Sequence, residues 1–198
     1  MFGAVLDTCV LWPSLQRDFL LTLATRNLYQ PYWSTQSLEE LEYCEKEKLI
    51  HRGASVSEAT QRASRLVLRI REAFDSSLVR ETGAWNRPFG LPDPDDEHVV
   101  IAAKLSDSGA IVTDNVKDFP PELMPVGVEI RTARQFIADV VDINPLIAFA
   151  ALTEMLSRYN NPPMSIDECL SELESRYGLI EATIQLRQVQ ASSHNETP

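Results

Sequence analysis

Hydrophobic and polar positions follow two rhythms along this chain. Up to about residue 131, short apolar runs at Phe2 to Leu6, Tyr29 to Trp33, Leu78 to Val79, Ala110 to Val112 and Gly127 to Ile130 alternate with stretches of helical period. Runs this short, rich in β-branched and aromatic residues, fit strands buried in a sheet. Between them, Leu15, Phe19, Leu23 and Leu28 mark a helix from Ser14, its expected cap, to about Arg26. Leu38, Leu41 and Cys44 mark a second helix opening at Ser34 to Ser37. Val56, Ala59, Ala63, Leu66, Val67, Ile70 and Phe74 mark a long third one from about Ser55 to Phe74. Val99, Val100, Ala103 and Leu105 mark a fourth from about Asp96 to Asp107, with Asp95 or Asp96 as its cap and Gly109 beyond its end. Strand and helix in alternation predict an α/β fold, a central parallel sheet flanked by helices with right-handed crossovers.

After Thr132 the pattern is helical throughout. Ala133 to Val141, Pro145 to Tyr159, Ser165 to Tyr177 and Leu179 to Val189 carry apolar residues at helical spacing, broken at Asn144-Pro145 and at Asn160-Asn161-Pro162-Pro163. The expected organisation is therefore an α/β domain over residues 1–131, an all-helical C-terminal extension over 132–190, and a disordered polar tail over 191–198.

With 198 residues, 44% of them hydrophobic, the chain can bury a substantial core. No apolar run reaches the roughly 18 residues of a membrane span, and residues 1–11 lack the character of a signal peptide, so a cytoplasmic protein without membrane contact is expected. Three scattered cysteines, Cys9, Cys44 and Cys169, match neither a disulfide framework nor zinc spacing and read as inert. A net charge of -11 argues against a protein that grips nucleic acid with its whole surface. A local basic groove is still open to it, because Lys46, Lys48, His51, Arg52, Arg62, Arg65, Arg69 and Arg71 gather in one third of the chain. A solvated helical face is the competing reading of that cluster.

Candidate chemistry lies in acids at element ends. Asp7 ends the first strand, where ligands of open α/β sheets bind, and no glycine-rich turn follows to cradle a dinucleotide. Glu40 lies at the edge of a buried stripe. Residues 91–120, LPDPDDEHVVIAAKLSDSGAIVTDNVKDFP, place Asp93, Asp95, Asp96 and Glu97 before a helix and Thr113, Asp114, Asn115 and Asp118 after a strand. Carboxylates converging from Asp7, Glu40, Asp96 and the Asn115/Asp118 pair would repel one another, and a hard divalent ion such as Mg²⁺ resolves that conflict. Hydrolysis of a phosphoryl compound is the chemistry such a site supports. Thr113 can bond a phosphate or orient an acid. A phosphatase of the haloacid-dehalogenase type needs a second Asp two residues after the first, and Cys9 stands there. His51 and His98 have no nucleophile at triad spacing.

The segments VLDTCVLWPSLQRDFLLTLA, WSTQSLEELE, DPDDEHVVIAAK and AIVTDNVKDFP, in this order, resemble the PIN-domain ribonucleases, in particular the VapC-like toxins of type II toxin-antitoxin systems. FIADVVDINP and SIDECLSELES resemble the helical tail of a longer subgroup. The resemblance implies a three-layer PIN fold and a Mg²⁺- or Mn²⁺-dependent endoribonuclease with an RNA substrate, a homodimeric state and a small antitoxin partner. Its acids fall on Asp7, Glu40 and Asp96, with Asn115 or Asp118 as the fourth position. Asp7, Glu40, Asp96 and Asp118 are then the expected catalytic residues, and Asp7, Asp96, Asn115 and Asp118 the expected metal ligands. Thr8, His98, Thr113, Asp114, Arg62, Arg65 and Arg69 are the expected substrate contacts. A catalytically weak binding module that docks an antitoxin or regulator is the alternative.

Overall fold

Five short strands assemble into one sheet: β1 (Gly3–Leu6), β2 (Gln30–Ser34), β3 (Leu78–Val79), β4 (Ala110–Val112) and β5 (Glu129–Arg131), in the order β3-β2-β1-β4-β5. The structure is a computed structural model, and it describes residues 2–80, 85–160 and 162–195. β1 pairs in parallel with β4, Leu6 standing opposite Val112. β4 pairs in parallel with β5, and β2 with β3. Parallel strands buried on both faces need apolar residues throughout, and Ala4, Val5, Leu6, Ile111 and Val112 supply them. The sheet is flanked by helices, as the alternation predicts.

The chain leaves β1 to build β2 and β3 on one side, then returns to build β4 and β5 on the other. The gap between the carboxyl ends of β1 and β4 is thus the topological switch point, where side chains meet without a crossing connection to block them. Residues 7 and 113 follow directly on those ends.

The helices are α1 (Thr8–Leu11), α2 (Ser14–Thr25), α3 (Thr35–His51), α4 (Val56–Ala73), α5 (Glu97–Leu105), α6 (Ala133–Ile143), α7 (Pro145–Ser157), α8 (Ile166–Tyr177) and α9 (Ile180–Asn195). Ser34 caps α3 by accepting from Ser37 N, and Ser55 and Glu58 form a capping box at α4. Two expected caps are not used. Pro13, not Ser14, stands at the start of α2. Asp96 stands at the N-cap position of α5 but its side chain makes no capping bond; Asp93 caps the preceding 3-10 turn, Pro94–Asp96, by accepting from Asp95 N.

Contacts within the chain gather it into two compact units. The first holds residues 2–12 and 31–131. Its core joins Val5 and Ile111 from the sheet to Val99, Val100, Ala102 and Ala103 of α5, with Leu91 and Phe119 closing over them. The second holds Pro13–Gln30 together with the chain from Thr132 onward. There α2 packs on α7. Tyr29 meets Phe136 edge-on at 4.9 Å, the Tyr159 hydroxyl donates to Asp18 at 2.7 Å, and Arg26 donates to Glu154 at 2.8 Å. A division at residue 131 leaves α2 with the sheet, whereas these contacts group it with the later helices.

Helix α9 runs through Asn195, five residues into the stretch expected as a disordered tail; residues 196–198 lie outside the described residues, as do residues 81–84 of the loop before Pro92. No single helix among the described residues is long and apolar enough to cross a membrane.

Candidate active site at the carboxyl edge of the sheet

Asp7 follows β1 and is 6% exposed. Its Oδ2 accepts from the Thr113 hydroxyl at 2.7 Å and from the Cys9 thiol at 3.1 Å. Thr113 follows β4 in the facing strand and is fully buried; its Oγ1 also accepts from Asn115 N at 3.0 Å. One edge of the Asp7 carboxylate is therefore fixed by the β1–β4 pairing itself. Burial first, and the charge of Asp7 second, push the Cys9 thiol up to about 12. Cys9 is thus a neutral donor at neutral pH rather than a nucleophile.

Glu40 projects from the second turn of α3. Its Oε2 accepts from the Thr8 hydroxyl at 2.7 Å, and its Oε1 meets His98 Nε2 at 3.2 Å. Partial burial works to raise this carboxyl, but the bonds from His98 and Thr8 outweigh it and hold the group below its usual range.

Asp96 differs from both. It is half-buried, its Oδ2 is enclosed, and that oxygen has no hydrogen-bond partner. Burial, then the charges of Asp7, Asp93 and Asp118, raise its carboxyl from 3.8 to about 6. Asp7, Asp96 and Asp118 therefore lie within electrostatic reach of one another, although they come from three separate segments. Asp118 itself accepts from the Asn115 side-chain amide.

The structure brings Asp7, Glu40, Asp96, Asn115 and Asp118 to one edge of the sheet. It treats the expected substrate contacts differently. Thr8, Thr113 and His98 are buried at 8%, 0% and 4% exposure, with their polar atoms turned onto acids. They orient carboxylates instead of facing a substrate, because a group enclosed and already bonded has nothing to offer one. Asp114 is exposed and its backbone N–H donates to Cys9 Sγ at 3.3 Å. Arg62, Arg65 and Arg69 lie exposed on α4, and the bonds among the described acids do not include them. Two residues that sequence reasoning passed over belong to the site: Cys9, classed as inert, and Ser34, seen only as part of a helix opening. Cys9 could have been found from its place two residues after Asp7; for Ser34 the sequence carries no such signal.

A divalent metal fits this donor set. Oxygen atoms of carboxylates and an amide are the ligands of a hard cation, and an enclosed carboxylate oxygen without a partner, in a field of like charge, is what such an ion would neutralise. Among the described residues, no three His, Cys, Asp or Glu side chains are already drawn together as a metal cage. Mg²⁺ needs only one or two carboxylates, completing its shell with water and substrate oxygens.

Residues 3–117 match the PIN domain family, a span that covers more than half of the chain and contains Asp7, Glu40, Asp96 and Thr113. The chain belongs to the PIN-domain family. Its helical segment over residues 135–188 matches the VapC50 C-terminal domain, which ties this PIN-domain protein to the VapC branch of toxin-antitoxin nucleases. No curated protein and no solved structure matches it. The second match begins at Gln135 in α6 and ends in α9, so it covers the later helices of the second unit but not α2.

Proposed function

We propose that this PIN-domain protein is a Mg²⁺- or Mn²⁺-dependent endoribonuclease that hydrolyses RNA phosphodiester bonds, the toxin of a toxin-antitoxin pair. In this reading it works in the cytoplasm as a homodimer and is restrained by a small antitoxin protein. The observation that carries it is the Asp96 carboxyl, with one oxygen enclosed and unpartnered, raised in pKa by burial and by Asp7, at the switch point of the sheet.

Asp7 and Asp96 would hold the ion, with Asn115 or Asp118 joining them. When bound, it supplies positive charge to the phosphoryl oxygens and lowers the pKa of water. Thr113 and Cys9 occupy Oδ2 of Asp7, so Oδ1 would be the oxygen it offers. Glu40, kept ionised by Thr8 and His98, orients the attacking water through its remaining lone pairs. Asp118 is a further acid for water or metal at the rim. Arg62, Arg65 and Arg69 on α4, with Asp114 at the mouth, are the proposed contacts to the RNA backbone, where arginine suits phosphate.

Cleavage of RNA by purified Asp7→Asn and Asp96→Asn variants tests the proposal. Both should keep wild-type circular dichroism and lose Mn²⁺-dependent cleavage by on the order of 100-fold or more. Full activity of Asp96→Asn would defeat the assignment. Calorimetric Mn²⁺ binding by the wild type without cleavage of any RNA tested would favour the binding module.

A further inference from the structure

His98 is buried between the Ser34 hydroxyl and the Glu40 carboxylate. Its Nδ1 is 2.7 Å from Ser34 Oγ, and its Nε2 is 3.2 Å from Glu40 Oε1. Ser34 is itself fully buried, and its Oγ accepts from Ser37 N at 2.9 Å while lying 3.0 Å from Ser37 Oγ. The hydrogens can be assigned by elimination. A neutral ring protonated at Nδ1 would turn a bare Nε2 lone pair onto a carboxylate oxygen, two acceptors face to face. In the other neutral tautomer, and in the imidazolium, a hydrogen sits on Nε2 and points at Glu40. In the neutral ring Ser37 Oγ then donates to Ser34 and Ser34 donates its own proton to Nδ1, so every buried polar atom of the string has a partner.

From this geometry we infer that Ser34 and His98 are positioning residues: Ser34 anchors the imidazole ring at Nδ1, and His98 Nε2–H fixes the Glu40 carboxylate in the orientation the reaction uses. The string begins at the cap of α3 and ends on a side chain of that same helix, so one hydroxyl both starts the helix and orients its acid. Ser34 and His98 touch no substrate. The consequence for cleavage rests on the nuclease reading above, whereas the tautomer does not.

Two side-chain amides separate positioning from simple packing. In His98→Gln the amide nitrogen falls near the place of Nε2 and can still donate to Glu40; in His98→Asn it falls near the place of Nδ1 and reaches only Ser34. Cleavage should fall about 10–100-fold in His98→Asn, the range for groups that orient a ligand without contacting the substrate, and His98→Gln should recover most of that loss. Equal losses in the two variants, following their melting temperatures, would overturn the inference. Independently of any activity, ¹⁵N-resolved imidazole spectra of the metal-free wild-type protein should show a hydrogen on Nε2, and Glu40→Gln, whose amide can donate as well as accept, should release that preference. A bare Nε2 in the wild type would overturn it as well. If the wild type cleaves no RNA while Nε2 carries its hydrogen, the nuclease reading fails and the positioning of Glu40 stands.

Discussion

Four acids crowd into five positions at Asp93, Asp95, Asp96 and Glu97, yet the structure gives them different work. Asp93 caps a turn, Asp95 faces solvent, and the Glu97 carboxylate accepts from the backbone N–H groups of Phe89, Gly90 and Leu91 at 2.7, 2.7 and 2.9 Å. Asp96 alone is left with an enclosed oxygen that nothing satisfies. That contrast implies a pH signature. Asp96 is raised from 3.8 to about 6, so between those values the folded protein holds a proton that the unfolded chain has released. Its contribution to stability therefore declines as pH rises through that window and stays low above it. Glu40, held below 4.5, runs the opposite way: its contribution is present above that value and is lost as pH falls. Urea unfolding of wild type and Asp96→Asn from about pH 4 to pH 7 isolates the Asp96 part. The wild type should lose stability relative to the variant between about pH 4 and 6, by roughly 0.5–1 kcal/mol once solvent screening is allowed for. A difference flat in pH would contradict the assigned crowding.

At the level of elements, most of what the pattern predicts is present, because long amphipathic helices and buried apolar strands are dictated by local sequence. Val56–Ala73 was legible for that reason, as were β1 and β4 and hence the places of Asp7 and Thr113. Shorter features were not. Helix α1 has four residues, too few for a period to register, and the turn Pro94–Asp96 depends on which of several adjacent aspartates turns back on the backbone. Burial of a polar side chain is also invisible to periodicity. Thr8 and His98 therefore looked like substrate contacts, and Thr113 could bond a phosphate or orient an acid, until their burial against Asp7 and Glu40 was seen. The turn before α5 matters because Asp93, by capping it, leaves the Asp96 carboxyl free. Asp93→Ala should cost about 1 kcal/mol in chemical denaturation, as other lost caps do. It should also lower the Asp96 carboxyl, since a like charge is removed. Carboxyl-resolved NMR titration would read that shift, and a rise would contradict this account of the turn.

For the whole molecule, the grouping of α2 with α6 to α9 changes what a domain boundary means. Phe19, Leu20 and Leu23 on α2 are fully buried, and the helix is tied to later ones through Tyr159 to Asp18 and Arg158 to Thr22. A chain ended at Arg131 would keep the whole sheet but strip α2 of the helices it packs on. That truncation should bind a hydrophobic dye and melt well below the full chain, since several large side chains lose their cover. A soluble, cooperatively folded fragment of residues 1–131 would show instead that the sheet unit is self-sufficient with α2 attached. The family matches over 3–117 and 135–188 follow sequence, and the packing cuts across them by one helix. The proposed chemistry depends on the first unit alone, where burial first and the charge of Asp7 second raise the Asp96 carboxyl. Anomalous diffraction at the manganese edge, from crystals grown with Mn²⁺, addresses that pairing directly. A peak within bonding distance of both Asp7 and Asp96 is the predicted result, and a manganese-soaked crystal with no peak touching either carboxylate would contradict it.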